Sequence, residues 1–105
     1  MQRGEVFRFK VPKGVGHEQH GERFGVIVQS DSMLPRSVIL VAPTSRSVRP
    51  ASYRPEVSIA GDTSRVLVEQ VGVVDARRLG RRVGQLAANE MWAVDEALIT
   101  VLGLD

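Results

Sequence analysis

The apolar residues of this chain come in short runs that turn-forming residues interrupt, and this pattern favours a small, mainly β architecture. The runs are rich in Val, Ile and Phe, and the segments that follow them include Pro12-Lys13-Gly14, Pro43 and Gly61-Asp62. A chain of 105 residues can enclose one modest core, so we expect a single domain over residues 1–105. The close spacing of strands and turns predicts a small barrel or a sharply coiled sheet.

Strand signals run through most of the chain, and a helical period appears only at its end. We expect strands over residues 4–11, 24–28, 38–41, 56–59, 65–69, 71–74 and 83–86, a loop over 43–55 and one helical turn over 76–79. Near the end, Met91, Val94, Leu98, Val101 and Leu102 recur at spacings of three and four. This spacing predicts an amphipathic helix that ends at Gly103 and begins after Asn89, Ala87 or Ala88.

The composition excludes several classes of protein. The chain has no cysteine, so disulfides, thiolate metal sites and cysteine nucleophiles are excluded. Its first residues lack the apolar segment of a signal peptide, and no apolar run approaches the ~20 residues of a membrane span. We therefore expect a soluble, cytoplasmic protein.

Charge is unevenly distributed along the chain. Residues 1–54 contain nine Lys or Arg against four Asp or Glu, whereas residues 55–105 contain five against eight. Twelve of the fourteen cations are arginines, which bind phosphates and carboxylates through planar, two-pronged contacts. The first half could thus face a polyanion. A solvated surface of mixed charge explains the same counts, and composition leaves both readings open.

Neither a metal site nor a nucleotide-binding loop is expected. His17 and His20 lie three residues apart with Glu18 and Glu22 nearby, but no further cluster of ligand residues accompanies them, so exposed loop histidines are the simpler reading. The segment Gly14-Val15-Gly16 lacks the Gly-Lys-Ser/Thr ending of a phosphate-binding loop. We expect no metal and no cofactor.

Arg23 is the residue best placed for chemistry. It stands where a polar loop enters a buried strand, and Thr44 directly follows another buried strand. If the two strands are neighbours, a guanidinium and a hydroxyl could meet around one phosphate, which would suit phosphodiester cleavage. The alternative is an Arg23 that is paired with Glu18 or Glu22.

Seven segments then occur in a characteristic order. They are Arg3-Gly4-Glu5-Val6, Val15-Gly16-His17-Glu18-Gln19, Arg23 with Val26-Ile27-Val28-Gln29-Ser30-Asp31, Val41-Ala42-Pro43-Thr44-Ser45, Glu69-Gln70 with Val74-Asp75, Arg78-Leu79-Gly80 with Val83-Gly84-Gln85-Leu86, and Val94-Asp95-Glu96-Ala97-Leu98. In this order the chain resembles MazF/PemK-type toxins of bacterial toxin–antitoxin pairs, over nearly its whole length.

The resemblance implies a fold, a reaction and partners. The fold would be a small SH3-like barrel of the CcdB/MazF kind with a C-terminal α-helix, usually a homodimer. The activity would be metal-independent, sequence-specific cleavage of single-stranded RNA to a 2′,3′-cyclic phosphate and a 5′-hydroxyl, as in an mRNA interferase, and a cognate antitoxin would inhibit it. Arg23 and Thr44 would be catalytic. The residues that would bind RNA are Glu18, Gln19, Ser45, Arg46 and Gln70, and Arg49 and Arg54 could contact RNA or the antitoxin.

Some positions depart from the family pattern. Phe24 stands where proline usually follows the catalytic arginine, Gly72 where an arginine is common, and Ala87 where a serine caps the helix. One alternative is a non-enzymatic toxin of the same barrel superfamily that inhibits DNA gyrase by protein contact. Such a toxin would not need the Arg23/Thr44 pair and tends to use its C-terminal helix, where Trp92 lies. Another is a decayed toxin that only binds its antitoxin.

Overall fold

An antiparallel sheet forms most of the molecule, and one helix covers it. The computed structural model describes residues 1–11 and 21–105, and within them seven strands belong to one sheet. The strands are β1 (Glu5–Val11), β2 (Gly21–Ile27), β3 (Val38–Ser45), β4 (Glu56–Ile59), β5 (Asp62–Val66), β6 (Gly72–Asp75) and β7 (Leu79–Gln85), and the helix is α1 (Ala88–Leu102). Short 3-10 helices cover Asp31–Met33, Val68–Gln70 and Ala76–Arg78.

Strand β3 organises the sheet because it pairs with three neighbours. The strand order is β4-β5-β3-β2-β1-β7, and β6 also pairs with β3. The first half of β3 pairs with β6, from Val38 opposite Asp75 to Val41 opposite Gly72, while Thr44 and Ser45 pair with β5. Because one strand changes partners along its length, the sheet curls into a half-barrel. The expected mainly β fold with a C-terminal helix is confirmed.

Apolar clusters cover both faces of the sheet. Neighbouring residues Val26 and Ile27 are both fully buried, yet they belong to different clusters because successive side chains of a strand point to opposite faces. The helix-side cluster joins Val26 to Val94 and Ala97 of α1. The cluster on the other face comprises Phe9, Ile27, Ile39, Val41 and Val74.

Polar contacts from two side chains fix α1 onto the sheet. Glu90 accepts hydrogen bonds from the amide of Ala87 (2.8 Å) and, through its other oxygen, from the amide of Ser58 on β4 (2.7 Å). The first bond satisfies the amide of the N-cap residue, as in a capping box, although alanine has no side-chain oxygen to accept from the amides of the first helical turn. At mid-helix, Arg3 donates to Asp95 (2.6 Å) and to the carbonyl of Val28 (2.8 Å).

Strand boundaries differ from the prediction around Pro43 and after Val66. We expected a strand to end before Pro43, but β3 continues to Ser45: the missing N–H of proline is tolerated where β3 changes partners, and the Pro43 carbonyl accepts from the amide of Leu67 (2.8 Å). The strand expected over residues 65–69 ends at Val66, and Val68–Gln70 forms a 3-10 helix instead. A short buried apolar run does not distinguish these two structures.

Two further boundaries are corrected by the structure. The β4–β5 turn is Ala60-Gly61 rather than Gly61-Asp62, and both residues have left-handed φ values of 51° and 86°. Of the possible helix caps, Ala87 takes the position. On the predicted apolar face of α1, Val94 is buried and Met91 and Leu98 pack partly buried against the core, whereas Val101 and Leu102 are exposed. None of the helices within residues 1–11 and 21–105 is long and apolar enough to cross a membrane.

Candidate active site

Arg23 is a buried, fixed positive charge between two strands. It lies on β2 opposite Phe9 of β1, and the residue is only 7% exposed. Its Nη2 donates a hydrogen bond to the main-chain carbonyl of Thr44 at 3.0 Å. Because a guanidinium stays protonated at any physiological pH, this bond holds a permanent charge against β3.

Thr44 lies on the neighbouring strand, at the point where β3 leaves β2. The β2–β3 ladder has Gly25 opposite Pro43, and the next residue, Thr44, pairs with Val66 of β5. Thr44 is 5% exposed, and its Oγ1 donates to the carbonyl of Phe24 at 3.2 Å. The structure therefore brings Arg23 and Thr44 together on adjacent strands. The contact between them is from guanidinium to carbonyl, not from guanidinium to hydroxyl.

Phe24 faces away from Arg23. Its ring packs against the helix-side cluster, and the guanidinium carbon of Arg8 lies 5.8 Å from the centre of the ring. Arg23 shares the other face of the sheet with Phe9, since directly paired residues of antiparallel strands point to the same side. The aromatic side chain at position 24 thus contributes to the core and does not stand beside the guanidinium.

The next two predicted RNA-binding residues directly follow Thr44 along the chain. Ser45 is buried, and its Oγ accepts from the amide of Ser47 at 3.2 Å. The Arg46 side chain is 72% exposed, and its Nη1 reaches Asp62 at 3.4 Å. An exposed pair at this distance contributes little to stability, so Arg46 can exchange its carboxylate for another anion at small cost.

Gln70, another predicted RNA-binding residue, lies on a segment that is hydrogen-bonded to β3. It is exposed and is the last residue of the 3-10 helix Val68–Gln70. The chain just before this helix is fixed to β3, because the amide of Leu67 donates to the carbonyl of Pro43 at 2.8 Å. The side chain of Gln70 is therefore carried on a segment anchored one residue from Thr44.

Arg54, which the sequence offered as a contact for RNA or antitoxin, is bound within the protein. Its Nε and Nη2 lie 2.8 Å and 2.7 Å from the same oxygen of Glu69, and its Nη1 donates to the carbonyl of Arg49 at 3.1 Å. The hydrogen bond with Glu69 raises the pKa of Arg54 above its usual value. This arginine fixes the segment between β3 and β4 to the Val68–Gln70 helix, whereas Arg49 is exposed.

Several predicted residues lie outside the described part of the chain. They are Glu18 and Gln19 of the proposed RNA-binding loop and both histidines, His17 and His20. The side chain of Glu22, one of the alternative partners of Arg23, is not described either. Within residues 1–11 and 21–105, no three or more His, Cys, Asp or Glu side chains gather to hold a metal ion.

Sequence reasoning missed two residues that shape the site. Glu69 anchors Arg54, although the sequence had marked it only as part of a motif. Gly25 lies two residues after Arg23, where a Cβ would stand 2.4 Å from Cγ1 of Val41 and 2.8 Å from Cε1 of Phe9. A glycine inside an apolar strand run is the available signal of such a close approach.

Sequence comparisons with a family model and with a curated relative both point to toxins. Residues 2–102 match the family described as PemK-like, MazF-like toxin of type II toxin–antitoxin system. A candidate toxin of Mycobacterium tuberculosis (strain ATCC 25618 / H37Rv), Rv3098A, is 40% identical over an aligned length of 106 residues, which covers 97% of each chain.

Solved structures share the fold at low sequence identity. An endoribonuclease from a mycobacterial species, solved in complex with its cognate antitoxin, has a TM-score of 0.84 at 20% identity and covers 100% of this chain and 97% of its own. The Mycobacterium tuberculosis toxin MazF-mt6 has a TM-score of 0.80 at 22% identity, with 96% and 98% covered. At such identities the likeness shows the fold, and the sequence matches show the family.

Proposed function

Because the chain belongs to the PemK-like, MazF-like toxin family of type II toxin–antitoxin systems, we propose that it is a sequence-specific endoribonuclease that cleaves single-stranded RNA. The observation that carries this proposal is the buried guanidinium of Arg23, which is held 3.0 Å from the Thr44 carbonyl where β3 leaves β2. A structural relative named as an endoribonuclease gives further support.

The proposed reaction is a transesterification within the RNA. The 2′-oxygen forms a bond to phosphorus and the bond from phosphorus to the 5′-oxygen breaks, which leaves a 2′,3′-cyclic phosphate and a 5′-hydroxyl. Charge on the phosphate oxygens increases in the transition state, and the permanent charge of Arg23 would stabilise it. Charged Arg23 cannot accept the 2′-hydroxyl proton, so another base takes it, while the guanidinium can donate toward the leaving oxygen. The chemistry needs charge stabilisation and proton transfer, so we propose no metal or cofactor.

Thr44 would hold a phosphate oxygen through its hydroxyl. A hydroxyl has one hydrogen to donate, and in the free protein this hydrogen goes to the carbonyl of Phe24. Binding of RNA would therefore exchange that carbonyl for a phosphate oxygen. Ser45, Arg46 and Gln70, with Glu18 and Gln19, stay predicted RNA-binding residues.

The proposed partners are an antitoxin and a second copy of the chain. We expect a cognate antitoxin with an acidic, apolar segment, because residues 1–54 carry an excess of positive charge and a structural relative was solved with its antitoxin. We place the activity in the cytoplasm, where mRNA is available.

An exposed apolar patch on β3 and β6 supports the homodimer. Leu40 of β3 lies directly opposite Val73 of β6, and Val38 lies on β3 as well. All three residues are exposed, and the exposed fraction of Val73 is 65%. Light scattering on the purified protein should give twice the chain mass. Val73→Glu should lower this mass to one chain, whereas Thr63→Glu, at an exposed position of β5, should not. A monomeric wild type would refute the homodimer.

RNA cleavage is tested with purified protein, a long single-stranded RNA and EDTA. Wild type should cut at a short recurring sequence and leave 5′-hydroxyl ends, which a polynucleotide kinase labels without prior removal of phosphate. Arg23→Ala should slow cleavage about 10²- to 10³-fold, the typical effect of removing a group that stabilises transition-state charge. Arg23→Lys should be intermediate, because lysine keeps the charge and loses the planar donor array.

Controls separate a catalytic role from a structural one. Arg36→Ala removes an exposed arginine whose Nε bonds only locally, to the carbonyl of Met33, and should cleave at the wild-type rate. Circular dichroism must show that Arg23→Ala and Thr44→Ala are folded at the assay temperature. Folded variants that cleave like wild type would refute the residue assignment. Intact RNA with wild type, together with inhibition of DNA gyrase, would refute the activity itself.

A further inference from the structure

Trp92 stands exposed beside a groove that the proposed RNA site does not use. It is the only tryptophan of the chain, it lies on α1 and it is 66% exposed. The groove has a volume of about 360 Å³ and runs between α1 and the segment that enters β4. Pro55, Ala93 and Ala97 supply apolar surface next to the indole. Large exposed aromatic side chains beside a concave apolar surface are typical of binding sites.

The charge of the groove is negative. Glu56 and Glu96 line it, and none of the described residues lining it is basic. Glu56 contacts Arg65 only at 3.4 Å and is itself largely exposed. Other carboxylates of α1 have partners, since Glu90 bonds the amide of Ser58 and Asp95 pairs with Arg3. Among the residues that the structure describes, Glu96 has no ion-pair partner.

We propose that this groove binds a segment of a partner protein that bears lysine or arginine. A cation over the face of an indole is attracted by the ring, and tryptophan is the strongest aromatic partner for it. Carboxylates on both walls add attraction for the same cation, and the apolar surface accommodates the methylene stem of its side chain. The same carboxylates repel phosphates, which disfavours RNA as the occupant.

The charged residues of the groove are opposite in sign to Arg23 and Arg46, which are proposed to act on RNA. Residues 1–54 carry the positive excess, whereas both groove carboxylates lie within the negative second half of the chain. This binding does not depend on RNA cleavage, and its test requires none.

Fluorescence of Trp92 reports on the groove directly, because no other tryptophan contributes. A short, end-blocked oligoarginine peptide should change the emission of Trp92 in a saturating manner, while an oligoglutamate peptide and a single-stranded RNA should not. The double variant Glu56→Gln/Glu96→Gln should bind oligoarginine about three- to tenfold more weakly, the effect of losing two exposed ion pairs.

A matched variant controls for net charge. Asp62→Asn/Asp105→Asn removes two exposed carboxylates outside the groove, and it should bind oligoarginine as tightly as wild type. The proposal is overturned if oligoarginine gives no saturating change, or if the two double variants lose affinity equally. It is also overturned if RNA binds at Trp92 more tightly than oligoarginine, which would identify the indole as a base-stacking surface.

Discussion

Gly25 is the position where the smallest substitution should have the largest effect. Its backbone lies against Val41 of β3 and Phe9 of β1, so that a Cβ built on it comes within 2.4 Å of Val41 Cγ1 and 2.8 Å of Phe9 Cε1. Ordinary contacts between carbon atoms are about 3.5–4.0 Å, so Gly25→Ala places its methyl about 1 Å too close to the first of these neighbours. Both are buried, and neither can turn outward without opening the core.

The loss of folding stability in Gly25→Ala follows from the number of neighbouring atoms that must move. Inserting a methyl group into a packed core costs about 1–3 kcal/mol, and two simultaneous overlaps indicate the upper end of this range. A loss of about 3 kcal/mol is a large part of the total stability of a small domain, about 5–15 kcal/mol. In a protein of this size it should lower the melting temperature by roughly 10–20 °C.

Urea unfolding, followed by the fluorescence of Trp92 and by circular dichroism at equal protein concentrations, measures the loss. Gly25→Ala should shift the midpoint with little change in the denaturant slope. Gly84→Ala is the matched control: this strand glycine has no heavy atom within 4 Å of its virtual Cβ, so its stability should change by less than about 0.5 kcal/mol.

A double variant tests the steric cause. Val41→Ala removes the atom in closest contact. The stability loss of Gly25→Ala/Val41→Ala should therefore be smaller than the sum of the losses of the two single variants, by about 1 kcal/mol or more. Additive losses, or a Gly25→Ala protein as stable as wild type, would show that the strand relaxes away from the contact and that the reasoning is wrong.

Three other positions give separate tests. Arg3→Ala should lower the free energy of unfolding by about 2 kcal/mol in urea, because it removes the charged hydrogen bond to Asp95 and a bond to a main-chain carbonyl. Ala60→Asn should raise it by about 0.5–1 kcal/mol, because Ala60 has a left-handed φ of 51° that asparagine adopts more readily. Arg77 lowers the pKa of Asp75 from 3.8 to about 2 through its hydrogen bonds. In Arg77→Ala, NMR titration of the Asp75 carboxyl should give a pKa above that of wild type but still below 3.8, because the amide of residue 77 keeps its hydrogen bond to Asp75. The part of the stability that wild type has above pH 3.8 and loses as the pH falls through 2 should therefore decrease.

The strands of this protein could be predicted from periodicity, but their ends could not. The helix was predicted because spacings of three and four recur from Met91 to Leu102, and its end at Gly103 is confirmed by a left-handed φ of 68°. The end of β3 was predicted wrongly, because local sequence marks Pro43 as a breaker. In the fold, the carbonyl of Pro43 bonds Leu67, a residue distant in sequence. Tertiary contacts of this kind override a local signal.

For the candidate site, too, the residues could be predicted from the sequence, but their contacts could not. Residue types and order predicted Arg23 and Thr44 as site residues, and their strands are neighbours in the structure. The contact between them involves the carbonyl of Thr44, which every residue carries, so no sequence pattern could indicate it. Likewise, the sequence indicates that Arg54 is an exposed arginine in a polar loop, whereas in the structure it is paired with Glu69. Pairings between distant residues require the register of the sheet.

Packing at Gly25 also links stability to the position of Arg23. The two residues are on the same face of β2, and Phe9, which a Cβ at Gly25 would displace, is the cross-strand partner of Arg23. Any movement of the Phe9 ring therefore occurs next to the guanidinium. Since a misplacement of about 1 Å can cost about 10²-fold in rate, Gly25→Ala should cleave RNA more slowly even at temperatures where it is folded, whereas Gly84→Ala should not. Equal rates for the two folded variants would mean that the polar contacts of Arg23, and not the packing beneath it, set the position of its guanidinium.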